Sequence, residues 1–217
     1  MKKIVSIISI FAIILSATQF VLADYSDDTT ITDGQFAYKK GTNNILAYVG
    51  TTGICEIPEN TTLKGLTPSW AKDAAPITKL IINDNVDINM IISGELVNLN
   101  KLKEVEIKEG VTEIPYQFLK GCNNLEKITL PSTIEIIDDE AFSECSKLST
   151  LDLNDGLQSI GRYAFSETTL SGNLNIPDTV THMDVTAFTD CGNLDKVHMS
   201  NNICLLYTSD AADEARS

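Results

Sequence analysis

The sequence predicts an α/β repeat solenoid. Three observations carry that prediction: apolar columns recur every 23 residues, each unit holds a strand-turn-strand script, and a unit is too small to fold alone. Val105, Ile128, Leu151, Leu174 and Val197 stand 23 residues apart, as do Val111, Ile134, Leu157 and Val180. The same step joins Ile114, Ile137, Ile160 and Met183, and then Leu119, Phe142, Phe165 and Phe188. Four columns with one period mark stacked copies of one supersecondary unit. The inward side chains of a single unit do not offset the entropy of ordering its backbone, so each coil needs neighbours on both sides and the ends need caps.

The chain begins with an address. Met1-Lys2-Lys3 is positive, Ile4 to Leu15 is apolar apart from serines, and Val21-Leu22-Ala23 offers compact residues at a cleavage site before Asp24, so residues 1–23 read as a secretory signal peptide. Ser16 to Gln19 break the apolar run too early for a membrane anchor, and nothing after Ala23 is long and apolar enough to span a bilayer. The mature chain is therefore expected to be secreted and not integral to a membrane.

Residues 24–76 read as a leader and an N-terminal cap. Ile31 to Cys55 alternates polar and apolar residues between glycines, which fits hairpin strands. Thr67 to Ala75 carries an N-cap candidate, an early proline and helix formers, which predicts a short helix closed by Pro76. Trp70 on that helix is expected to plug the open end of the first coil. From Ile77 to residue 203 the repeats take over. Leu80-Ile81-Ile82 sits two residues out of phase with later units, which implies a two-residue insertion before the register settles at Leu102. Within each unit Leu-x-x-Val-x-Ile points alternate side chains inward, a Gly or Pro turn follows, and a second extended piece ends at the Ile114 column. Ala-Phe then enters the coil on a helical or tight-turn segment, where Asp138-Asp139-Glu140 suits a helix N-terminus.

The units EAFSECSKLSTLDLNDGLQSIGRYAF and TAFTDCGNLDKV, with Ile-Pro after a strand and Ala-Phe-x-x-Cys-x-x-Leu at the join, resemble the BspA-like leucine-rich repeats of bacterial and some protist surface proteins. The resemblance runs from about Ile77 to Ser200; Thr168-Thr169-Leu170 replaces one Cys-x-x-Leu join. It implies a right-handed curved leucine-rich-repeat solenoid with a parallel sheet on its concave face and a β-rich cap before it. It also implies secreted or cell-surface proteins that bind other proteins or host matrix, without catalytic residues.

The register fails after Met199. Cys204 to Glu214 offers no strand or Phe column for a further coil, and Cys-Leu-Leu-Tyr-Thr-Ser resembles the conceptual translation of a transposase-type sequencing adaptor. Residues 204–217 are therefore expected to be an artefact, with the true gene continuing past residue 203.

Sixteen basic against 30 acidic side chains give a net charge of −14, which disfavours nucleic acid and anionic membrane as partners. Cys122, Cys145 and Cys191 share one column with Thr168, which makes them small buried groups first. A Cys122–Cys145 bridge is within reach of adjacent coils, but parallel inward side chains favour free thiols. With no histidine in that column and no Cys-x-x-Cys pair, no metal or other cofactor is expected. His182 and His198 fall at outward positions, and Asp84, Asp87 and Asn89 lack calcium-loop spacing and read as a polar turn. No nucleophile-base arrangement points to an enzyme. The candidate binding surface is the outward face of the first strands. One column reads Ile81, Glu106, Thr129, Asp152, Asn175 and His198, and its neighbour reads Lys79, Glu104, Lys127, Thr150, Asn173 and Lys196. These columns lack aromatic and Arg anchors. The expected role is a monomeric interaction module for a protein or glycan ligand, such as an adhesin fragment. The alternatives are a spacer displaying another domain, or the non-catalytic part of a secreted enzyme.

Overall fold

The computed structural model describes residues 29–32, 36–39, 42, 44–48, 53–63, 77–88, 99–199 and 202–206. The signal peptide, the Thr67–Ala75 helix with Trp70, and residues 207–217 lie outside them. The chain opens with β1 (Thr29–Thr32), β2 (Phe36–Lys39) and β3 (Asn44–Tyr48), two antiparallel pairings as the alternating pattern predicts. β3 then runs parallel to β5 (Thr62–Leu63), which ties this meander to the first coil.

Two strand ladders build the solenoid. The first joins β4 (Ile54–Ile57), β6 (Lys79–Ile82), β7 (Glu104–Ile107) and β9 (Lys127–Thr129), all parallel. Ile54 pairs with Lys79 and Lys79 with Glu104, steps of 25 residues, and Glu104 pairs with Lys127 at the 23-residue step. The phase shift read in the sequence is therefore a longer coil. The ladder also begins one coil before Ile77, because two 25-residue coils put Cys55 outside the 23-residue columns. Alternate residues of these strands are buried, so Cys55, Leu80, Val105 and Ile128 form one inward row.

The second ladder runs through β8 (Glu113–Ile114), β10 (Ile136–Ile137), β11 (Ser159–Ile160), β13 (His182–Asp184) and β15 (Cys204–Leu206). The last strand corrects the expectation that no strand follows Met199. His182 pairs with Cys204, a step of 22 residues, so the strand lies off the 23-residue columns and escapes a search by spacing. The first ladder resumes in β12 (Ser171–Asn175) and β14 (Asn193–His198), but the coil between, Leu148–Asn154, forms no strand.

On the third side of each coil the tight-turn alternative holds and the helical one does not. Among the described residues there is no helix; the Ala-Phe segments and Asp138-Asp139-Glu140 are turns. The reason lies in where their backbone donors point. Leu119 N–H donates to Ala141, Phe142 to Ala164 and Phe165 to Ala187, each to the carbonyl of the next coil. Gly121, Glu144 and Glu167 repeat the pattern on Ser143, Ser166 and Thr189. A donor committed along the stacking axis cannot close an i to i−4 helical bond. The turns reach this direction through left-handed residues in two columns, Gln117, Glu140 and Tyr163, and then Gly121, Glu144, Glu167 and Asp190. The solenoid is thus closed by intercoil hydrogen bonds on three sides.

The core is one continuous apolar cluster from Phe36 to Ala187. Phe142, Phe165 and Phe188 stack face to face at 5.3 and 5.2 Å between centroids, within the range of favourable ring pairs. Phe142 and Phe165 are fully buried, and Phe188, the last ring of the stack among the described residues, is half-buried.

Candidate binding surface

Outward residues of the first ladder inherit its register, so the strands place the predicted columns without further help. Lys79, Glu104 and Lys127 lie side by side on β6, β7 and β9, with Ile81, Glu106 and Thr129 in the parallel row. Asn173 and Lys196 pair on β12 and β14, as do Asn175 and His198. Thr150 and Asp152 sit in the strandless coil, so the two columns form two separate patches.

The first patch is electrostatically self-contained. Lys79 Nζ lies 3.2 Å from Glu104 Oε1 and 3.2 Å from Glu106 Oε2. Glu104 also faces Lys127 Nζ at 3.9 Å, and Glu106 pairs with Lys108. Hydrogen bonds to Glu104 and then Glu106 raise the Lys79 ammonium above its ordinary value. Lys108 and then Lys79 hold the Glu106 carboxyl below its own. Five alternating charges satisfy one another, which leaves little field for a partner.

On the turn side a second cluster gathers on Glu140. Gln117 Nε2 donates to it at 3.0 Å, Tyr116 Oη donates at 3.4 Å, and Lys120 forms an ion pair with it. Burial alone would raise this carboxyl, but the bonds from Lys120 and Gln117 outweigh it and keep it below its ordinary value.

The cysteine column is packing. Cys55, Cys122, Cys145 and Cys191 are free thiols, and Cys145 Sγ and Cys191 Sγ point to the carbonyls of Leu119 and Phe165 one coil back. Thr168 completes the column, its hydroxyl 3.1 Å from Cys191 Sγ. Burial pushes the Cys55, Cys145 and Cys191 thiols up, which withholds the nucleophilic thiolate. His182 and His198 are both exposed. Asp84 and Asn85 form a turn with Asn85 left-handed; Asn89 lies outside the described residues. No cluster of three or more metal-ligating side chains and no helix long and apolar enough to cross a membrane occurs among the described residues.

One feature has no counterpart among the predicted residues. An open groove of about 450 Å³ crosses three coils between the first turns and the second ladder. It is lined by Ser132, Thr133, Glu135, Asp155, Gly156, Gln158, Thr179 and Thr181. Its signal in the sequence is a notch: Thr133, Gly156 and Thr179 share one 23-residue column, and the middle member has no side chain.

Stacked parallel coils with a Phe ladder and an inward cysteine column narrow the comparison with known proteins. A family model described as BspA type leucine rich repeat region matches residues 69–209 with six copies. The chain belongs to this family. Three crystal structures of leucine-rich proteins share the fold. A leucine-rich repeat protein from Eubacterium ventriosum is 21% identical, with 84% of this chain and 52% of that one covered and a TM-score of 0.57. A leucine rich cell surface protein from Faecalibacterium prausnitzii is also 21% identical, over 82% of this chain and 56% of that one, with a TM-score of 0.54. A leucine-rich repeat protein from Bacteroides ovatus is 22% identical, over 83% and 42%, with a TM-score of 0.53. The chain spans about half the length of these solved relatives. Among curated proteins none matches it.

Proposed function

We propose that this BspA-type repeat chain is a secreted, cell-surface interaction module that binds a protein or glycan through the side of its solenoid. The observation that carries the reading is architectural: three hydrogen-bonded sides hold rows of outward side chains in fixed register over successive coils, a rigid extended surface of the kind on which repeat proteins meet partners. The apolar segment Ile4 to Leu15 behind Lys2 and Lys3 supports export, as does the similarity to a relative named as a cell surface protein.

The internal pairing of Lys79, Glu104, Glu106, Lys108 and Lys127 favours a second reading for that one patch, a solvated wall of a spacer. Titrating the purified chain against immobilised extracellular-matrix proteins and cell-wall glycans separates the two. A module gives saturable binding to at least one member of the panel; a spacer gives none. Export is checked by protease shaving of intact cells, which removes a surface-displayed chain and spares one retained inside.

A further inference from the structure

We propose that the groove across Ser132 to Thr181 binds a carbohydrate chain carrying free, protonated amino groups. This rests on the reading of the chain as a surface binding module and names the ligand class of one site on it.

The lining sets the chemistry. Glu135, Gln158 and Thr181 follow one another at single-coil steps, each backbone N–H donating to the carbonyl one coil back: Glu135 to Thr112, Gln158 to Glu135, Thr181 to Gln158. That ladder fixes their side chains in a row with a spacing of about 4.8 Å. Asp155 and Thr179 flank the row, and Gly156 opens the notch between Thr133 and Thr179. A side chain at Gly156 is barred, since its Cβ would meet the Ser132 carbonyl oxygen at 2.7 Å. Within the described residues the side chains of Glu135, Asp155, Gln158 and Thr179 are committed to no hydrogen bond or ion pair, whereas Ser132 and Thr133 are held by Glu109 and the Val111 carbonyl.

Three exclusions follow. No lining side chain is aromatic or wholly aliphatic, so the groove holds no pocket for the large apolar side chains of a peptide or for a lipid tail. The segments 109–113, 132–136, 155–159 and 178–182 carry five carboxylates against one histidine, His182 beside Thr181, and no Lys or Arg, so an anionic ligand is disfavoured. An open groove that runs across three coils suits a chain better than a compact molecule. What remains is a polymer with hydroxyls for Gln158, Thr179 and Thr181 and with cationic groups for Glu135 and Asp155. An amino-sugar chain supplies both.

The test uses the full purified chain and three probes at mildly acidic pH: a glucosamine hexamer, its fully N-acetylated counterpart, and hexalysine. Saturable binding of the glucosamine hexamer, at least tenfold tighter than that of either other probe, is the expected result. The double change Glu135→Gln and Asp155→Asn should weaken it tenfold or more, Gln158→Leu severalfold, and Glu104→Gln on the strand face not at all. Equal binding of the N-acetylated probe overturns the role of the carboxylates. Hexalysine binding as tight as glucosamine, untouched by Gln158→Leu, reduces the effect to general charge and overturns the proposal. No saturable binding to glucosamine also overturns it. If another member of the protein and glycan panel still binds, only this ligand assignment falls; if none does, the interaction module falls with it.

Discussion

Each side chain in the Phe column is worth what its two neighbours make of it. Phe165 is fully buried between Phe142 and Phe188, with a ring against each face, whereas Phe188, stacked on Phe165, is only half-buried. Phe165→Ala should cost about 3–5 kcal/mol, and Phe188→Ala markedly less, as read from urea midpoints. Backbone geometry gives a second contrast. A Cβ at Gly161 would stand 2.5 Å from the Asp139 nitrogen of the coil below, so Gly161→Ala must push two coils apart at a cost of about 1–3 kcal/mol. Glu167 holds a left-handed φ of 57° in the column that Gly121 opens. Glu167→Gly should therefore raise the thermal midpoint, by up to about 1 kcal/mol of stability. These inward and left-handed positions differ in how plainly the sequence announces them. Val, Ile, Leu and Phe columns are visible because burial selects side-chain type in every coil. The left-handed columns are filled by Gly, Glu, Asp, Gln and Tyr, because the neighbour's carbonyl selects a backbone direction and not a side chain.

Among elements, the ladders explain what spacing finds and what it misses. A 23-residue step reveals every strand that keeps it. Ile54–Ile57 and Cys204–Leu206 pair at steps of 25 and 22, so both ladders run further than the columns suggest. Helical or tight turns are expected where short polar runs precede Ala-Phe, and tight turns form because the donors of those runs are taken by the next coil. On the candidate surface the columns are legible but their chemistry is not. Only the register of β6, β7 and β9 shows that Lys79, Glu104, Glu106 and Lys127 neutralise one another, and the groove depends on a missing side chain that no hydrophobic pattern records. The charge chain has a pH signature. Glu106 titrates below its ordinary value near 4.5, so its contribution is complete above that value and is lost as pH falls through its lowered one. Lys79 titrates above its ordinary value, so its contribution is complete at neutral pH and is lost only in strong alkali. Urea midpoints of wild type and Glu106→Gln, measured between about pH 3 and pH 7, should differ at neutrality and converge in acid.

The whole molecule is additive along one axis. Deleting Glu126–Leu148 removes one full 23-residue period and joins Leu125 to Ser149 in unbroken register. That shortened chain should fold with a lower urea midpoint, since each coil adds an interface. Removing three residues fewer leaves one 26-residue coil, one residue longer than the 25-residue coils before it, so that chain should also fold, with the surplus taken up in a turn of that coil. The three-sided intercoil bonding also dictates how the molecule yields to force. Strands lie across the stacking axis and their hydrogen bonds lie along it, so a pull between the two ends loads the bonds of one coil at a time rather than shearing many together. The solenoid should give way from an end in equal steps, each 23-residue coil releasing about 75 Å of extended chain. Displayed on a cell surface, such a chain would absorb shock, lengthening by measured increments under flow while its remaining coils stay folded.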